Sequence, residues 1–472
     1  MDHALIDTRR LEANAQLDPK NKGALGQFMT PSAIARFMAS LFEDTQGAYL
    51  LDAGAGIGSL SHAASSTLNL AQVDAWEIDP IMRGYLHQTL DDLHIPYTVH
   101  PKDFILDSVE RISNHVAPAF THAILNPPYK KINSNSIHRK ACSQIGIETV
   151  NLYTAFLALS ILQMRPLGQI VVIIPRSFCN GPYYKPFREL MLQECSIDRI
   201  HVFESRNQAF KDDEVLQENI ILKLTRGKLQ ADVQLSFSKD ATLADLHKHT
   251  VPFAQVVHPN DRELFIRVPM QDQAQAEHSV FAHTLKELGL EVCTGPVVDF
   301  RLKPWWSQEP TADSVPCIYP HHISSSGVEY PKAHKKPNAL LRSPEVDKWL
   351  MPQGTYVLVR RFSAKEERRR VVAYLITPQD VDSSLIGFEN HWNVFHIKKA
   401  GLPLDIAKGL MVFLNSTAVD DYFRVFSGHT QVNATDLRNM KYPSLELLHQ
   451  MGMPFARPMS QEQIDQQFQK FV

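Results

Sequence analysis

The amino-acid sequence predicts an α/β protein whose first half forms a mostly parallel sheet covered by helices on both faces. Strand and helix patterns alternate along this half, as they do in βαβ units. A glycine-rich turn follows the first strand, and an Asn-Pro-Pro-Tyr turn follows a later one. In an open α/β sheet such turns lie at the carboxyl ends of the strands, where ligands bind.

The predicted elements follow one another regularly. Residues 29–42 predict a helix with Thr30 as its N-cap, because Pro31 comes next and apolar residues recur at helical spacing. Strands are predicted to run into the glycine turn, to Glu77 and to Asn126, with helical patterns between them. A long apolar helix and the strand QIVVIIP complete the series.

The domain organisation follows from where this alternation fades, at about Gly227. Beyond it the pattern is mixed and rich in proline, with no repeat of fixed period. We therefore predict an α/β domain at residues 1–230, a connecting region at 231–285 and a mixed α+β domain at 286–472.

Composition narrows the class of protein. With 472 residues, 44% hydrophobic and 21% charged, the chain is an ordinary globular sequence. No apolar run has the length of a membrane span and no apolar signal core begins the chain, which predicts a cytoplasmic location.

The five cysteines are scattered and no metal-ligand spacing occurs, so we expect no metal site. A net charge of −3 neither requires nor excludes nucleic acid.

The glycine turn is a candidate cofactor site. Asp52 ends the first strand, and Gly54, Gly56 and Gly58 alternate after it. Glycine allows positive φ and close approach of a ligand to the backbone. The nicotinamide fingerprint requires glycine where this sequence has Ser59. A plain strand–helix turn stays open as the alternative.

Two acidic residues at strand ends add to this site. Glu77 ends the second strand, where a carboxylate can accept both hydroxyls of a ribose. Asp103 comes where a third strand should end and could accept an adenine amino proton. Each could instead be a helix cap.

The stretch Asn126–Tyr129 predicts a site for a planar amino group. Pro127 and Pro128 lock φ and leave backbone carbonyls without a local donor. Asn126 adds a side-chain carbonyl, and Tyr129 adds a flat ring. The turn therefore combines rigid acceptors with a stacking surface.

In this order, these residues resemble the TaqI-like, gamma-class adenine DNA methyltransferases of restriction–modification systems, including the PstI- and XhoI-like enzymes. The resemblance covers nearly the whole chain and implies a Rossmann-like catalytic domain that uses S-adenosylmethionine, followed by a DNA target recognition domain. The motifs that carry it are GQFMTP (26–31), LDAGAGIG (51–58), WEID (76–79), KDF (102–104) and NPPY (126–129).

The resemblance also implies roles in cofactor binding. Thr30 would touch the methionine end of S-adenosylmethionine, with Asp52, Gly54 and Gly56 beneath it. The other implied contacts are Glu77 with the ribose, Ile78 against the adenine ring, Asp103 with that adenine's amino group, Phe104 at its edge and Asn126 beside the donor.

For catalysis, the side-chain carbonyl of Asn126 and the main-chain carbonyl of Pro127 would accept the two hydrogens of the target amino group. Tyr129 would stack on a base taken out of the duplex. Phe210, in a polar loop, is the predicted clamp on the other face of that base. Phe203 is the alternative clamp, although an apolar run places it more naturally in the core.

The second half holds candidate DNA contacts. Arginine and lysine are concentrated at residues 360–370, either as phosphate contacts or as a solvated face. The segments ENHWNVFH (389–396) and GHTQVNATDLR (428–438) resemble recurring parts of the recognition domains of PstI- and XhoI-like enzymes. Double-stranded DNA is the expected partner.

Other functions share parts of this sequence pattern. Release-factor glutamine methyltransferases share NPPY but are short chains, and N4-cytosine enzymes usually have serine where this chain has Asn126. A noncatalytic DNA-binding specificity subunit stays possible. No acidic-acidic-lysine cluster predicts a fused nuclease, so any restriction endonuclease should be a separate chain. We expect a monomer on DNA.

Overall fold

The structure is a computed structural model that describes residues 3–17, 29–43, 46–203, 219–269, 281–324, 327–363, 367–427, 431–455 and 458–471. The chain divides into two compact units, Met1–Pro269 (unit 1) and Met270–Val472 (unit 2). None of the described helices is both long and apolar enough to cross a membrane.

Unit 1 is an α/β layer structure. Its strands are β1 (Ala48–Ala53), β2 (Leu70–Trp76), β3 (Tyr97–His100), β4 (Phe120–Leu125), β5 (Met164–Pro175), β6 (Cys195–Phe203), β7 (Asn219–Arg226), β8 (Val233–Ser238) and β9 (His247–Val251). Its α-helices are α1 (His3–Gln16), α2 (Ser32–Ala39), α3 (Ser59–Ser65), α4 (Pro80–Asp91), α5 (Phe104–Ser113), α6 (Ile137–Gln144), α7 (Leu152–Gln163), α8 (Lys185–Glu194) and α9 (Phe253–Val256).

Within the described residues these strands form one sheet in the order β3-β2-β1-β4-β5-β7-β6-β8-β9. The first five of that order are parallel, whereas β7 is antiparallel to both β5 and β6. The strand order reverses between β1 and β4, which opens a crevice at their carboxyl ends. The predicted α/β fold with a mostly parallel sheet is confirmed.

The sheet is buried on both faces, and β1 illustrates how. Leu50 packs with α2 and α3, whereas the next residue, Leu51, packs with α5 and α7 on the opposite face. Side chains alternate along a strand, so a strand covered on both faces must be apolar throughout. Helix α7 is itself buried on nearly every side, which explains its unbroken apolar sequence.

Two sequence-based expectations differ from the structure. The helix predicted at residues 29–42 is α2, which begins at Ser32 with Pro31 rather than Thr30 at the N-cap position. The hydroxyl of Thr30 is engaged by Asn126, and the carboxylate of Asp7 accepts hydrogen bonds from the Ser32 hydroxyl (2.6 Å) and amide (3.4 Å) instead.

The predicted connecting region, 231–285, is the second difference. Strands β8 and β9 lie within it and extend the sheet, and unit 1 ends only at Pro269. Strand β9 is polar and largely exposed, so its sequence carries no strand pattern. It is held by antiparallel pairing with β8, a tertiary interaction that local sequence does not encode.

Phe203 ends β6 in the interior of unit 1. Its side chain is 3% exposed and packs in the same cluster as α2. Its ring lies 4.6 Å from that of His201, which in turn contacts Phe37. The prediction that Phe203 is a core residue is confirmed.

Unit 2 is mixed α+β, as expected. Its strands are β10 (Glu291–Thr294), β11 (Trp306–Ser307), β12 (Ser314–Ile318), β13 (Ile323–Ser324), β14 (Gly327–Val328), β15 (Ala339–Leu341), β16 (Met351–Pro352), β17 (Tyr356–Arg360), β18 (Ala373–Ile376), β19 (Leu385–Phe388) and β20 (Trp392–His396). Its α-helices are α10 (Pro344–Asp347), α11 (Leu404–Leu414), α12 (Thr417–Phe426), α13 (Ala434–Asn439), α14 (Leu445–Gly452) and α15 (Gln461–Gln469).

The strands of unit 2 form small sheets. Two of them have the orders β10-β20-β17-β18 and β11-β15-β12-β19-β16. The backbones of helices α11 and α14 are in direct contact at Gly409. A Cβ atom at this position would lie only 1.7 Å from the carbonyl oxygen of Leu448, so the contact requires glycine.

Candidate active site

A cavity of about 510 Å³ lies at the carboxyl ends of the first strands of unit 1. This volume is within the range of small-molecule sites. The cavity brings together residues that are far apart in the sequence. Those predicted from the sequence are Thr30, Gly54, Gly56, Glu77, Ile78, Asp103, Phe104, Asn126 and Pro128.

The glycine turn forms one wall. Gly54 and Gly56 have φ of +75° and +58°, a region that side-chain-bearing residues rarely adopt. The amides of Gly54 and Ala55 donate to the carbonyl oxygen of Trp76, which ties the turn to the end of β2. No atom lies within 4 Å of a Cβ built at Gly56, so the turn leaves open space there.

Glu77 is a buried carboxylate beside this turn. Its Oε2 accepts the Gly56 amide at 2.8 Å, and its Oε1 accepts the Asp79 amide at 2.7 Å. Burial raises the pKa of Glu77, although these hydrogen bonds oppose the rise. The N-cap of α4 is Asp79, which accepts the amides of Ile81 and Met82. Helix capping therefore does not explain Glu77.

Asp103 does cap a helix and also has a second partner. Its carboxylate accepts the Leu106 amide at the start of α5 and pairs with His138 Nε2 at 2.8 Å. Burial opposes its ionisation, but the hydrogen bonds from His138 and Leu106 more than offset that effect and lower the pKa of Asp103. An ionised acceptor at this wall is the consequence.

Asn126 is held from both ends of its amide. Its Nδ2 donates to Thr30 Oγ1 at 3.0 Å, and its Oδ1 accepts the Tyr129 hydroxyl at 2.8 Å. The hydroxyl of Tyr129 also contacts the carbonyl oxygen of Ile173 at 3.2 Å. Burial raises the pKa of Tyr129 well above its ordinary value, so the hydroxyl remains a donor. The amide therefore has a defined orientation.

Three predicted residues lie behind the cavity wall rather than on it. Pro127 and Asp52 are buried, and the ring of Tyr129 packs edge-on against Tyr153, with centroids 6.2 Å apart. Asp52 is fully buried and accepts the Ser61 hydroxyl at 2.6 Å. Phe210 lies outside the described residues.

Asp52 should make stability depend on pH. Burial raises its pKa to about 7, whereas an unfolded aspartate titrates near 4. Folding therefore costs more as pH rises from about 4 to 7, since the unfolded state releases the proton first. Asp52→Asn should raise the melting temperature by at least about 2–4 °C more at pH 8 than at pH 4, the change that 1 kcal/mol produces in a domain of this size. An equal change at both pH values, measured by calorimetry, would contradict the buried-carboxylate account.

Several lining residues were missed from the sequence. They are Ser59, Ile105, Ile132, His138 and Phe156. Among the described residues no partner exists for the Ser59 hydroxyl, which is buried. Ser59 occupies the position at which the nicotinamide fingerprint requires its third glycine. This departure from the pattern was the sequence signal that could have identified it. His138 comes from α6, 35 residues after Asp103, and no motif marks it.

These features fit S-adenosylmethionine. The wall offers two acidic acceptors, Glu77 and Asp103, and apolar surface from Phe104 and Ile105 for a nucleoside. The unpartnered Ser59 hydroxyl is a further polar group that a ligand could satisfy. Within the described part of the chain, no group of three or more His, Cys, Asp or Glu side chains could hold a metal ion.

The basic run of unit 2 is neither a uniform phosphate contact nor a uniform solvated face. Arg370 is 1% exposed, with its guanidinium over the ring of Phe423 and 3.3 Å from the Ser427 hydroxyl. Arg369 donates to Gln461 and to carbonyl oxygens at the end of α11. Arg360 pairs with Glu367, whereas Arg368 is exposed.

Known proteins resemble this chain in a family model, in overall sequence and in fold. A family model described as Eco57I restriction-modification methylase matches residues 99–210. The type II methyltransferase M.BsuBI of Bacillus subtilis is 49% identical over 95% of this chain and 93% of its own length. M.PstI of Providencia stuartii is 43% identical over 95% and 92%. The solved DrdV–DNA complex is similar in fold, with a TM-score of 0.52 at 13% identity over 96% of this chain and 59% of that one.

Proposed function

The chain belongs to the type II DNA methyltransferases of restriction–modification systems, and on that premise we propose that it methylates the N6 amino group of an adenine in a short duplex sequence. S-adenosylmethionine is the methyl donor. The observation that carries the choice of adenine is Asn126 at the head of the Asn-Pro-Pro-Tyr turn, with its amide oriented beside the cavity.

In this proposal the cavity binds the donor. Glu77 accepts the ribose hydroxyls, Asp103 accepts the adenine amino group, and Ile78 and Phe104 contact the adenine ring. Thr30 and the glycine turn border the methionine end. When bound, S-adenosylmethionine supplies an electrophilic sulfonium methyl group.

The target adenine is proposed to leave the duplex and to meet Asn126. The Asn126 Oδ1 and the Pro127 carbonyl oxygen accept the two amino hydrogens, which makes the nitrogen more tetrahedral and more nucleophilic. Bound S-adenosylmethionine would supply the methyl group, and Asn126 and Pro127 would act by positioning the amino nitrogen toward it. No strong base is required before transfer, since the methylated nitrogen would lose one of its two hydrogens as a proton to solvent afterwards.

The reaction can be tested with the purified chain, S-adenosylmethionine and DNA, followed by mass spectrometry of the nucleosides. N6-methyladenine is the expected product. N4-methylcytosine would contradict adenine specificity, and the absence of any methylated nucleoside would favour a noncatalytic specificity subunit. Sequencing the methylated DNA would identify the site.

Glu77 should govern donor affinity. Glu77→Gln should raise the dissociation constant of S-adenosylmethionine by about 10–150-fold, which corresponds to the roughly 1.5–3 kcal/mol of a hydrogen bond to a charged group. Glutamine keeps one oxygen for the backbone amides, so the fold should persist. Isothermal calorimetry measures the effect, with exposed Glu110→Gln as the matched control. Equal affinities in both variants would remove Glu77 from the site.

Arg368 is proposed to contact a DNA phosphate, because it is the exposed arginine among the described residues of the basic run. Arg368→Gln should weaken binding to all duplexes alike and reduce the slope of log K against log salt by roughly 1. Fluorescence anisotropy over a salt series measures the slope. An unchanged slope would show that Arg368 is only solvated.

We further propose that methylation protects DNA from a separately encoded restriction endonuclease of the same site, and that the enzyme acts on DNA as a monomer in the cytoplasm. Transformation of cells that express the relevant endonuclease tests the first point. Sedimentation of the protein–DNA complex tests the second.

A further inference from the structure

Three segments of unit 2 meet beside strands β17 and β20. The Arg361 amide donates to the His391 carbonyl oxygen at 2.8 Å, and the Val432 amide donates to the Arg361 carbonyl oxygen at 2.7 Å. Phe362 also forms a bridge with Gln431. The start of the basic run and the two recognition-like sequence segments are therefore one surface. We call Arg361, Phe362, Asn390, His391 and Gln431 the β17–β20 cluster.

His391 is held at this surface by a buried carboxylate. Glu389 is 0% exposed, whereas the His391 side chain is 44% exposed. The Nδ1 of His391 lies 2.5 and 2.6 Å from the two Glu389 oxygens, and the His391 amide donates to Oε2 at 2.9 Å. Because Nδ1 is bound to the carboxylate, Nε2 is the ring edge that can meet a ligand.

Burying a carboxylate costs free energy of desolvation, and a histidine at the surface does not require a buried partner to be stable there. His449 shows the ordinary case in the same unit: it pairs with Asp405, and both side chains are about half exposed, at 49% and 44%. The Glu389–His391 pair instead fixes an imidazole in one direction. Such fixed orientation is what recognition of a hydrogen-bonding edge requires.

The cluster also displays an aromatic ring. Phe362 is 48% exposed, and its ring centroid lies 4.9 Å from that of His391. The guanidinium of Arg361 lies alongside and donates to the Asn390 carbonyl oxygen at 3.3 Å. Polar donors next to an apolar ring match base edges in a DNA groove, which combine hydrogen-bonding groups with the thymine methyl.

We propose that the β17–β20 cluster reads base edges of duplex DNA, with His391 Nε2 and Arg361 hydrogen-bonding to bases and Phe362 contacting a base or a thymine methyl. This inference rests on the proposed function and names the residues that select the site. Phosphate contacts position a protein on DNA, whereas such base contacts specify the sequence.

The test uses the full chain and a library of duplexes randomised over the recognised site. Bound duplexes and methylated duplexes are both sequenced, and affinity for a duplex without the site is measured separately. His391→Gln and Phe362→Ala should each reduce discrimination against the wrong base about 10-fold at one or more positions. Affinity for the duplex without the site should stay within about 2-fold of wild type.

His449→Gln is the matched control and should keep the wild-type preference at every position. Phe362→Ala keeps the proposal testable if loss of His391 leaves Glu389 too costly to bury. Unchanged preference in folded variants, or an equal loss of affinity for all duplexes, would overturn the inference. If wild type selects a site but transfers no methyl group, the proposed function fails while the bound sequences still test the cluster.

Discussion

Replacing Asn126 by alanine is expected to lower the rate of methyl transfer by at least about 10²–10³-fold, as loss of a preorganised hydrogen-bonding group typically does. The amide of Asn126 is oriented by Thr30 and by Tyr129, so the variant loses an acceptor whose direction is already set. Binding of S-adenosylmethionine should change little, because the acidic acceptors and the glycine turn remain. Single-turnover methylation and calorimetry measure the two effects.

The matched control is Asn114→Ala, an exposed asparagine of the same unit at the end of α5. It should leave both the rate and the affinity at wild-type values. Wild-type turnover in Asn126→Ala would sink the catalytic assignment. A variant that loses turnover and donor binding together would place Asn126 in the donor site instead.

Phe203→Ala should reduce the free energy of unfolding by about 3–5 kcal/mol, the usual cost of truncating a core phenylalanine. Its ring is 3% exposed and packs against His201 and α2, so alanine would leave a cavity next to β6. Denaturant unfolding measures the loss. A change below about 1 kcal/mol would mean that the site collapses or that the ring is less tightly packed.

Phe210→Ala is the functional counterpart of that variant. If Phe210 clamps the extruded base, its loss should lower methylation, because base–aromatic stacking contributes about 1–3 kcal/mol. The stability of the fold should stay nearly unchanged, because Phe210 belongs to a polar stretch of the sequence. A fluorescent adenine analogue at the target position would report extrusion. A signal equal to wild type in Phe210→Ala, together with an altered one in folded Phe203→Ala, would identify Phe203 as the clamp.

Much of the catalytic fold was predictable because its signals are local. An apolar run that ends in glycines, or in Asn-Pro-Pro-Tyr, predicts both a buried strand and the residue at which it ends. Because the strands are parallel, their carboxyl ends then lie at one edge of the sheet. Asn126 and Glu77 therefore reach the same cavity as the sequence predicts. Phe203 could be assigned to the core because it ends an apolar run.

What could not be predicted depends on partners distant in the chain. His138 meets Asp103 through the placement of α6, and β9 pairs through a polar sequence that has no strand pattern. The burial of Arg370 is the clearest case, since charge alone favours solvent or phosphate. Inside unit 2 the Arg370 guanidinium lies over the ring of Phe423 in α12 and 3.3 Å from the hydroxyl of Ser427, and the Arg370 backbone amide donates to the carboxylate of Asp420.

That burial sets how the two ends of the basic run tolerate substitution. The carboxylate of Asp420 accepts the amides of Arg370 and Val371, and Asn415 binds the backbone of Ala373, so the end of the basic run is fastened to α11 and α12 from inside. Substitution of the buried Arg370 should therefore cost stability, whereas substitution of Phe362, which is 48% exposed, should cost little. If the β17–β20 cluster reads bases as proposed, a change of DNA specificity at Phe362 would leave the supporting helices intact.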